Sequence, residues 1–87
     1  VSARARAVQE APSDPRPHNS LAIVANRFGW IATAQAEFQK AIALKPDYGI
    51  AHFNLALTYL EQKPAALELA RRHYQQAVKL GAVEAVA

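Results

Sequence analysis

The sequence predicts an all-α fold, a right-handed solenoid of antiparallel helix pairs, and three observations support this prediction. Residues 34–46 read AQAEFQKAIALKP, a helix with alanine, phenylalanine and alanine along one face and a closing proline. The same spacing returns late in the chain. The last part of the pattern, an alanine and the closing proline, is also found near the start at Ala7 and Pro12. The helix before it recurs too, with His18 returning as His52. A fixed period of about 34 residues is typical of stacked helical repeats.

The repeats divide the chain into consecutive units of one domain. We expect the end of an incomplete repeat at 1–12, a full repeat at 15–48, a second repeat at 49–82 and a tail at 83–87. The second repeat carries a two-residue insertion between its helices. The chain thus holds about two full repeats plus a preceding half repeat. We expect it to be a fragment of a longer array, since it also lacks an initiating methionine.

Four full helices are predicted, and glycine or proline ends or begins most of them. Their expected bounds are 17–28, 31–44, 48–61 and 65–80. Gly29 and Gly81 follow helices, where the left-handed backbone conformation costs glycine little. We expect Asp14 and Asp47 to cap the helices that follow them, and Pro64 to lie in the first turn of the last helix.

One face of each helix is expected to be buried, because its apolar residues recur at helical spacing. The alanines of this face let two helices approach closely, and an aromatic residue fills the gap between them. The stripes of the first helices are His18, Leu21, Ala22, Ala25 and His52, Leu55, Ala56, Tyr59. Those of the second helices are Ile31, Ala34, Phe38, Ala41, Ile42 and Ala70, Tyr74, Ala77.

Composition excludes several classes of protein. Hydrophobic residues make up 52% of the 87 residues, which excludes a disordered chain. No apolar run approaches the roughly 18 residues of a membrane helix. The absence of cysteine excludes disulfides and thiolate metal sites. The sequence indicates no cellular compartment.

The spacing of these residues resembles the tetratricopeptide repeat family, whose repeating unit carries Trp-x2-Leu-Gly-x2-Tyr, then Ala-x3-Phe, then Ala and Pro. The second run is present as Ala34, Phe38, Ala41 and Pro46. The first run is degenerate, with histidine in place of tryptophan. The resemblance implies a non-enzymatic scaffold whose concave groove, lined by the first helix of each repeat, binds a peptide or partner protein. The alternative is a structural or oligomerising segment of a longer array.

A second stripe of residues on the first helices is predicted to line this groove. On the third helix the stripe is apolar, and only Asn54, Thr58 and Glu61 form a polar side. Such a helix either packs against further helices of the array or awaits a partner. One repeat earlier the stripe is polar and basic, which suits a peptide with an acidic or carboxylate end and apolar side chains. The predicted groove comprises Arg16, Asn19, Ile23, Asn26, Arg27, Ile50, Phe53, Asn54, Leu57 and Leu60.

Other sites are not favoured by the sequence. His18 and His52 lie one repeat apart, too far to share a zinc ion, and His73 is expected to face solvent. No phosphate loop or nucleophile arrangement is present, so we expect no catalytic, cofactor or metal site. The basic residues are interleaved with acids, which makes a weak nucleic-acid binder the less favoured alternative function. Trp30 either folds back on the helix that follows it, which we favour, or is an exposed anchor for a partner.

Self-association is a further expectation from the sequence. Helical arrays need about three units and polar terminal caps to be stable and soluble. No helix here has the composition of a polar cap. We therefore expect homo-oligomers, formed by end-to-end stacking or by exchange of a terminal helix.

Overall fold

The computed structural model describes residues 13–83, which form four α-helices and no strand. Helix α1 spans Arg16–Arg27, α2 spans Ile31–Leu44, α3 spans Gly49–Glu61 and α4 spans Leu67–Lys79. The predicted all-α fold of helical hairpins is confirmed. The incomplete repeat expected at 1–12 and most of the expected tail lie outside the described residues, and the predicted repeat boundaries stay predictions.

Glycines end α1 and α4 in the same way. Gly29 and Gly81 have φ angles of 80° and 79°, the left-handed conformation that the sequence predicted. Behind them, the Trp30 N–H donates to the Ala25 carbonyl and the Ala82 N–H to the Ala77 carbonyl, both at 2.9 Å. These bonds satisfy carbonyl groups that a helix end otherwise leaves without a partner.

The predicted helix starts are partly wrong. Asp14 does support α1, because its carboxylate accepts the Arg16 backbone N–H at 3.0 Å. Asp47 instead pairs with Lys45 at 3.2 Å, and no side chain caps α3. Pro64 lies before α4 rather than in its first turn. The Ala66 N–H there donates to the carbonyl of Tyr59 at 3.0 Å, so the inserted residues form a loop that closes on the end of α3.

The core lies between two helical hairpins. Helix α1 packs against α2 and α3 against α4, while α3 also packs against α2 and joins the hairpins. Small residues at the contacts let the helices approach closely, and Phe38 and Leu55 fill the remaining space. The buried hydrophobic cluster consists of Ala22, Ala25, Ala34, Phe38, Ala41, Ala51, Leu55, Tyr59 and Ala70.

Two residues contradict the predicted burial pattern. Leu21 is 52% exposed, whereas Leu55, its equivalent one repeat later, is fully buried. The difference arises because α2 lies beside α3, and no described helix lies on the corresponding side of α1. Thr58 was predicted on a polar side but is buried, and its hydroxyl donates to the Asn54 carbonyl at 2.9 Å. Within the described residues no helix has the length and apolar character to cross a bilayer.

Candidate functional site

A recess of about 170 Å³ lies between α1 and α3 and brings together half of the predicted groove residues. Phe38 of α2 contributes to its lining, and α1 and α3 contribute the rest. Helix α1 provides Ile23, Asn26 and Arg27, and α3 provides Asn54, Leu57, Thr58 and Glu61. The recess follows from the repeat, because equivalent stripes of neighbouring first helices lie side by side.

Amide side chains occupy the polar part of the recess. The Asn54 amide donates to the Asn19 side-chain oxygen at 3.5 Å. Asn19 is itself buried, so it supports Asn54 from behind rather than presenting its own amide at the surface. The Oδ1 atom of Asn26 is buried and has no hydrogen-bond partner in the described part of the chain. A buried acceptor without a partner lowers the stability of the fold by about 1–3 kcal/mol. A hydrogen-bond donor that the Asn26 amide reached by rotating would remove that cost.

An apolar recess of about 210 Å³ adjoins the first one and opens between α3 and α4. Leu57 lines both recesses and thereby connects them. Leu60, also a predicted groove residue, lines only the apolar one. Its full lining is Ala56, Leu57, Leu60, Leu67, Ala70, Arg71 and Tyr74. An elongated ligand could therefore place polar groups against the asparagines and apolar groups against the leucines.

The other predicted groove residues lie apart from these recesses. Ile50 is exposed but lines neither of them. Phe53 is half-buried and turns towards α4, where its ring centroid lies 6.3 Å from that of Tyr74. Arg16 is bound to Asp14, with Nη2 donating to the carboxylate at 2.6 Å. Through this hydrogen bond, Arg16 lowers the pKa of Asp14 to about 2. The basic end that the sequence predicted is thus reduced to Arg27, which shares its recess with Glu61.

Trp30 does not pack back on the helix that follows it, contrary to the favoured prediction. Its ring is largely exposed and stacks on the exposed ring of Phe28, with centroids 5.3 Å apart. The reversal of the chain at Gly29 places the two rings on the same side of the turn. The contribution of Phe28 was not predicted, although a second aromatic residue two positions from Trp30 was a visible signal.

A pair of histidines between α3 and α4 was also missed, since His73 was expected to face solvent. The Nδ1 atoms of His52 and His73 lie 3.0 Å apart, and the ring of Tyr59 also stacks on that of His73. His52 Nε2 donates to the Pro46 carbonyl at 3.0 Å, so neutral His52 accepts a hydrogen bond from His73. Burial, followed by the charges of His52 and Arg72, lowers the pKa of His73.

The first hairpin has a histidine–carboxylate contact at the position of this histidine pair. His18 Nδ1 lies 2.7 Å from Glu37 Oε1, and Lys40 Nζ lies 3.1 Å from the other oxygen. The hydrogen bond from His18, together with Lys40, lowers the pKa of Glu37. The repeat relates His18 to His52 and Glu37 to His73, a signal that could have revealed both pairs. Among the described residues no three metal-binding side chains cluster.

The tetratricopeptide repeat family model matches residues 37–79, from the middle of α2 to the end of α4. No curated protein and no solved structure matches the chain.

Proposed function

Since residues 37–79 place the chain in the tetratricopeptide repeat family, whose members are generally protein–protein interaction modules, we propose that it binds a protein or peptide partner in the groove between α1 and α3. The observation that carries this proposal is the recess in which Ile23, Asn26, Arg27, Asn54 and Leu57 meet. Members of the family are typically non-enzymatic scaffolds, and we extend that expectation to this chain.

The chemistry of the two recesses suggests the kind of partner. Asparagine amides donate to and accept from a peptide backbone, which suits an extended segment lying along the polar recess. Arg27 favours an acidic side chain or a terminal carboxylate near that end. Leu57 and Leu60 favour apolar side chains further along. The proposed partner is therefore a short segment that is acidic at one end and apolar at the other.

A role as a structural segment of a longer array is the second candidate, favoured by the exposed apolar stripe of α3. We propose no nucleic-acid or membrane partner. The association of copies of the chain with one another stays a prediction.

A phage-displayed library of random peptides, selected on the immobilised chain, tests the binding proposal. Enriched peptides are then made with a fluorescent label and titrated by fluorescence anisotropy. Leu57→Ser should weaken their binding about tenfold or more, because burial of a leucine contributes about 1.5–3 kcal/mol.

Leu44→Ser is the matched control, because Leu44 of α2 and Leu57 are both 41% exposed and lose the same atoms. Leu44 lines neither recess, so peptide affinity should stay unchanged. Equal weakening by both substitutions, or no enrichment over an unrelated helical protein, would reject the groove as the binding site.

A further inference from the structure

Two opposite charges line the polar recess between α1 and α3. Arg27 is the last residue of α1 and Glu61 is the last residue of α3, and both line the recess of about 170 Å³. They hold equivalent positions in consecutive repeats, so they lie one helix spacing apart, roughly 8–10 Å. The same position of the repeat thus carries a cation on one wall of the recess and an anion on the other.

The fold neutralises neither of these charges within residues 13–83. Both residues are exposed, and neither side chain forms an ion pair or a hydrogen bond with another described residue. Arg27 is favourable at the end of α1, because the helix dipole attracts a cation there. The same dipole disfavours the Glu61 carboxylate at the end of α3. Helix stability therefore accounts for Arg27 but not for Glu61.

Hydrogen-bonding groups in the same recess also await a partner. The Oδ1 atom of Asn26 is buried and accepts no hydrogen bond from the described part of the chain. The Asn54 amide reaches the Asn19 oxygen only at 3.5 Å, the long end of a hydrogen bond. A peptide N–H or a lysine ammonium group supplies a donor of the kind that the Asn26 oxygen lacks.

The adjoining apolar recess sets the order of the charges along the groove. Its lining contains one charged residue, Arg71 of α4. In the order of the helices, the charges are therefore positive at Arg27 on α1, negative at Glu61 on α3 and positive at Arg71 on α4. A basic residue of a ligand is favoured beside Glu61 alone, because a cation on either side repels it elsewhere.

We propose that the groove selects a peptide segment with an acidic residue beside Arg27, a basic residue beside Glu61 and an apolar residue against Leu57. This inference rests on the peptide-binding function proposed above, and it adds the basic residue, the order of the charges and the two residues that recognise them. An extended chain advances about 3.3 Å per residue, so the acid and the base are two or three positions apart. Exposed ion pairs add little affinity, but the reversed order places like charges together and is rejected.

Exchange of the two charges of the chain tests this inference. The double variant Arg27→Glu, Glu61→Arg keeps the net charge and the shape of the groove. A phage-displayed library of random peptides is selected separately on the parent and on this variant. Peptides enriched on the parent should carry an acid and a base in one fixed order, and those enriched on the variant should show the reverse order.

Fluorescence anisotropy titration gives the size of the effect. Labelled peptides selected on the parent should bind the double variant about fivefold more weakly or worse at low ionic strength, and added salt should reduce this difference. A synthetic version of each peptide with its acid and base exchanged should prefer the variant to the parent. Circular dichroism checks that both chains keep their helices.

Glu68→Arg, Arg72→Glu is the matched control, because both residues are exposed on α4 and line neither recess. This control should bind the peptides like the parent. Peptides that bind the parent and the Arg27, Glu61 variant equally, or that show no fixed charge order, would overturn the inference. The groove itself would stand in that case if Leu57→Ser weakens binding. If no peptide is enriched, the binding function is rejected and this inference falls with it.

Discussion

The two hairpins place a histidine of the first helix opposite different residues of the second helix. In the first hairpin, His18 faces the Glu37 carboxylate at 2.7 Å, and Lys40 lies on the carboxylate's other side. In the second hairpin, His52 faces His73 at 3.0 Å, with Arg72 nearby on α4. The first arrangement stabilises a negative charge on its acidic member, and the second disfavours a positive charge on His73.

The same backbone position therefore has two electrostatic roles. The repeat fixes where the two side chains meet, because His18 and His52, and likewise Glu37 and His73, hold equivalent positions in it. It does not fix whether the pair carries charge. Equivalent residues of the two hairpins should therefore contribute equally to stability where the surrounding helices are alike. Their contributions should differ where a neighbouring helix or a charge differs.

The largest expected difference between the hairpins concerns Leu55 and its equivalent Leu21. Leu55→Ser should destabilise the chain by about 2–5 kcal/mol or more, since it leaves a cavity and a buried hydroxyl. Leu21→Ser, at an exposed position, should change stability by no more than about 0.5 kcal/mol. Thermal unfolding followed by circular dichroism, at a concentration below any association, measures both values.

Equal destabilisation by these two substitutions would show that α1 is covered as fully as α3. The packing of α3 between α2 and α4 would then not explain the burial of Leu55. A useful reference is the total stability of a chain of this size, which is about 0.05–0.15 kcal/mol per residue. A loss of about 5 kcal/mol, at the upper end of the expected range, would unfold the chain if its total stability lies near the lower end of that scale.

Much of the fold was predictable from sequence, because the alanine and aromatic spacing dictates which helix faces meet. Ala34, Phe38 and Ala41 are buried as expected, and Gly29 ends α1 as expected. Leu21 was misjudged because periodicity identifies the apolar face of a helix but not whether another helix covers it. Pro64 was misjudged because the preference of proline for a first helical turn does not reveal the hydrogen bond between Ala66 and Tyr59, which holds this segment in a loop.

A second prediction concerns the pH dependence that the histidine pair causes. The pKa of His73 is lowered from 6.5 in the folded chain, so the unfolded chain binds a proton at higher pH than the folded chain does. The contribution of His73 to the stability of the folded chain is therefore present above about pH 6.5 and falls as the pH drops below that value. The pKa of Glu37 is lowered from 4.5, so its contribution is lost only at pH values below 4.5.

His73→Glu gives the second hairpin the partner that the first one has. Urea unfolding midpoints of the parent should fall between pH 6.5 and 4.5, and the variant should lose less stability over that interval. In the described part of the chain, the rings of His52 and Tyr59 stack on His73, and the charges of His52 and Arg72 act on it. A variant with the same pH dependence as the parent would exclude His73 as the source.

The candidate site was less predictable than the fold. The structure brings Ile23, Asn26 and Leu57 of the predicted stripe together in the recess between α1 and α3. It placed Asn19 in the groove, although Asn19 is buried, because the angular position of a residue does not show how deep it lies. It also counted Arg16 as a free charge, and the ion pair with Asp14 depends on side-chain directions that sequence spacing does not give.

The smallest expected effect concerns Asn26, whose buried Oδ1 lacks a partner among the described residues. Asn26→Leu has a similar volume and removes the unsatisfied acceptor, so it should stabilise the unliganded chain by about 1 kcal/mol. Leu60, the equivalent of Asn26 in the second hairpin, shows that the repeat accepts a leucine there. Peptides that donate to the Asn26 amide should bind the variant several-fold more weakly, even though the chain itself is more stable. Urea unfolding and anisotropy titration on the same preparation measure the two effects. A variant that is both less stable and equally good at binding would mean that the Asn26 oxygen is satisfied within the folded chain and has no role in the groove.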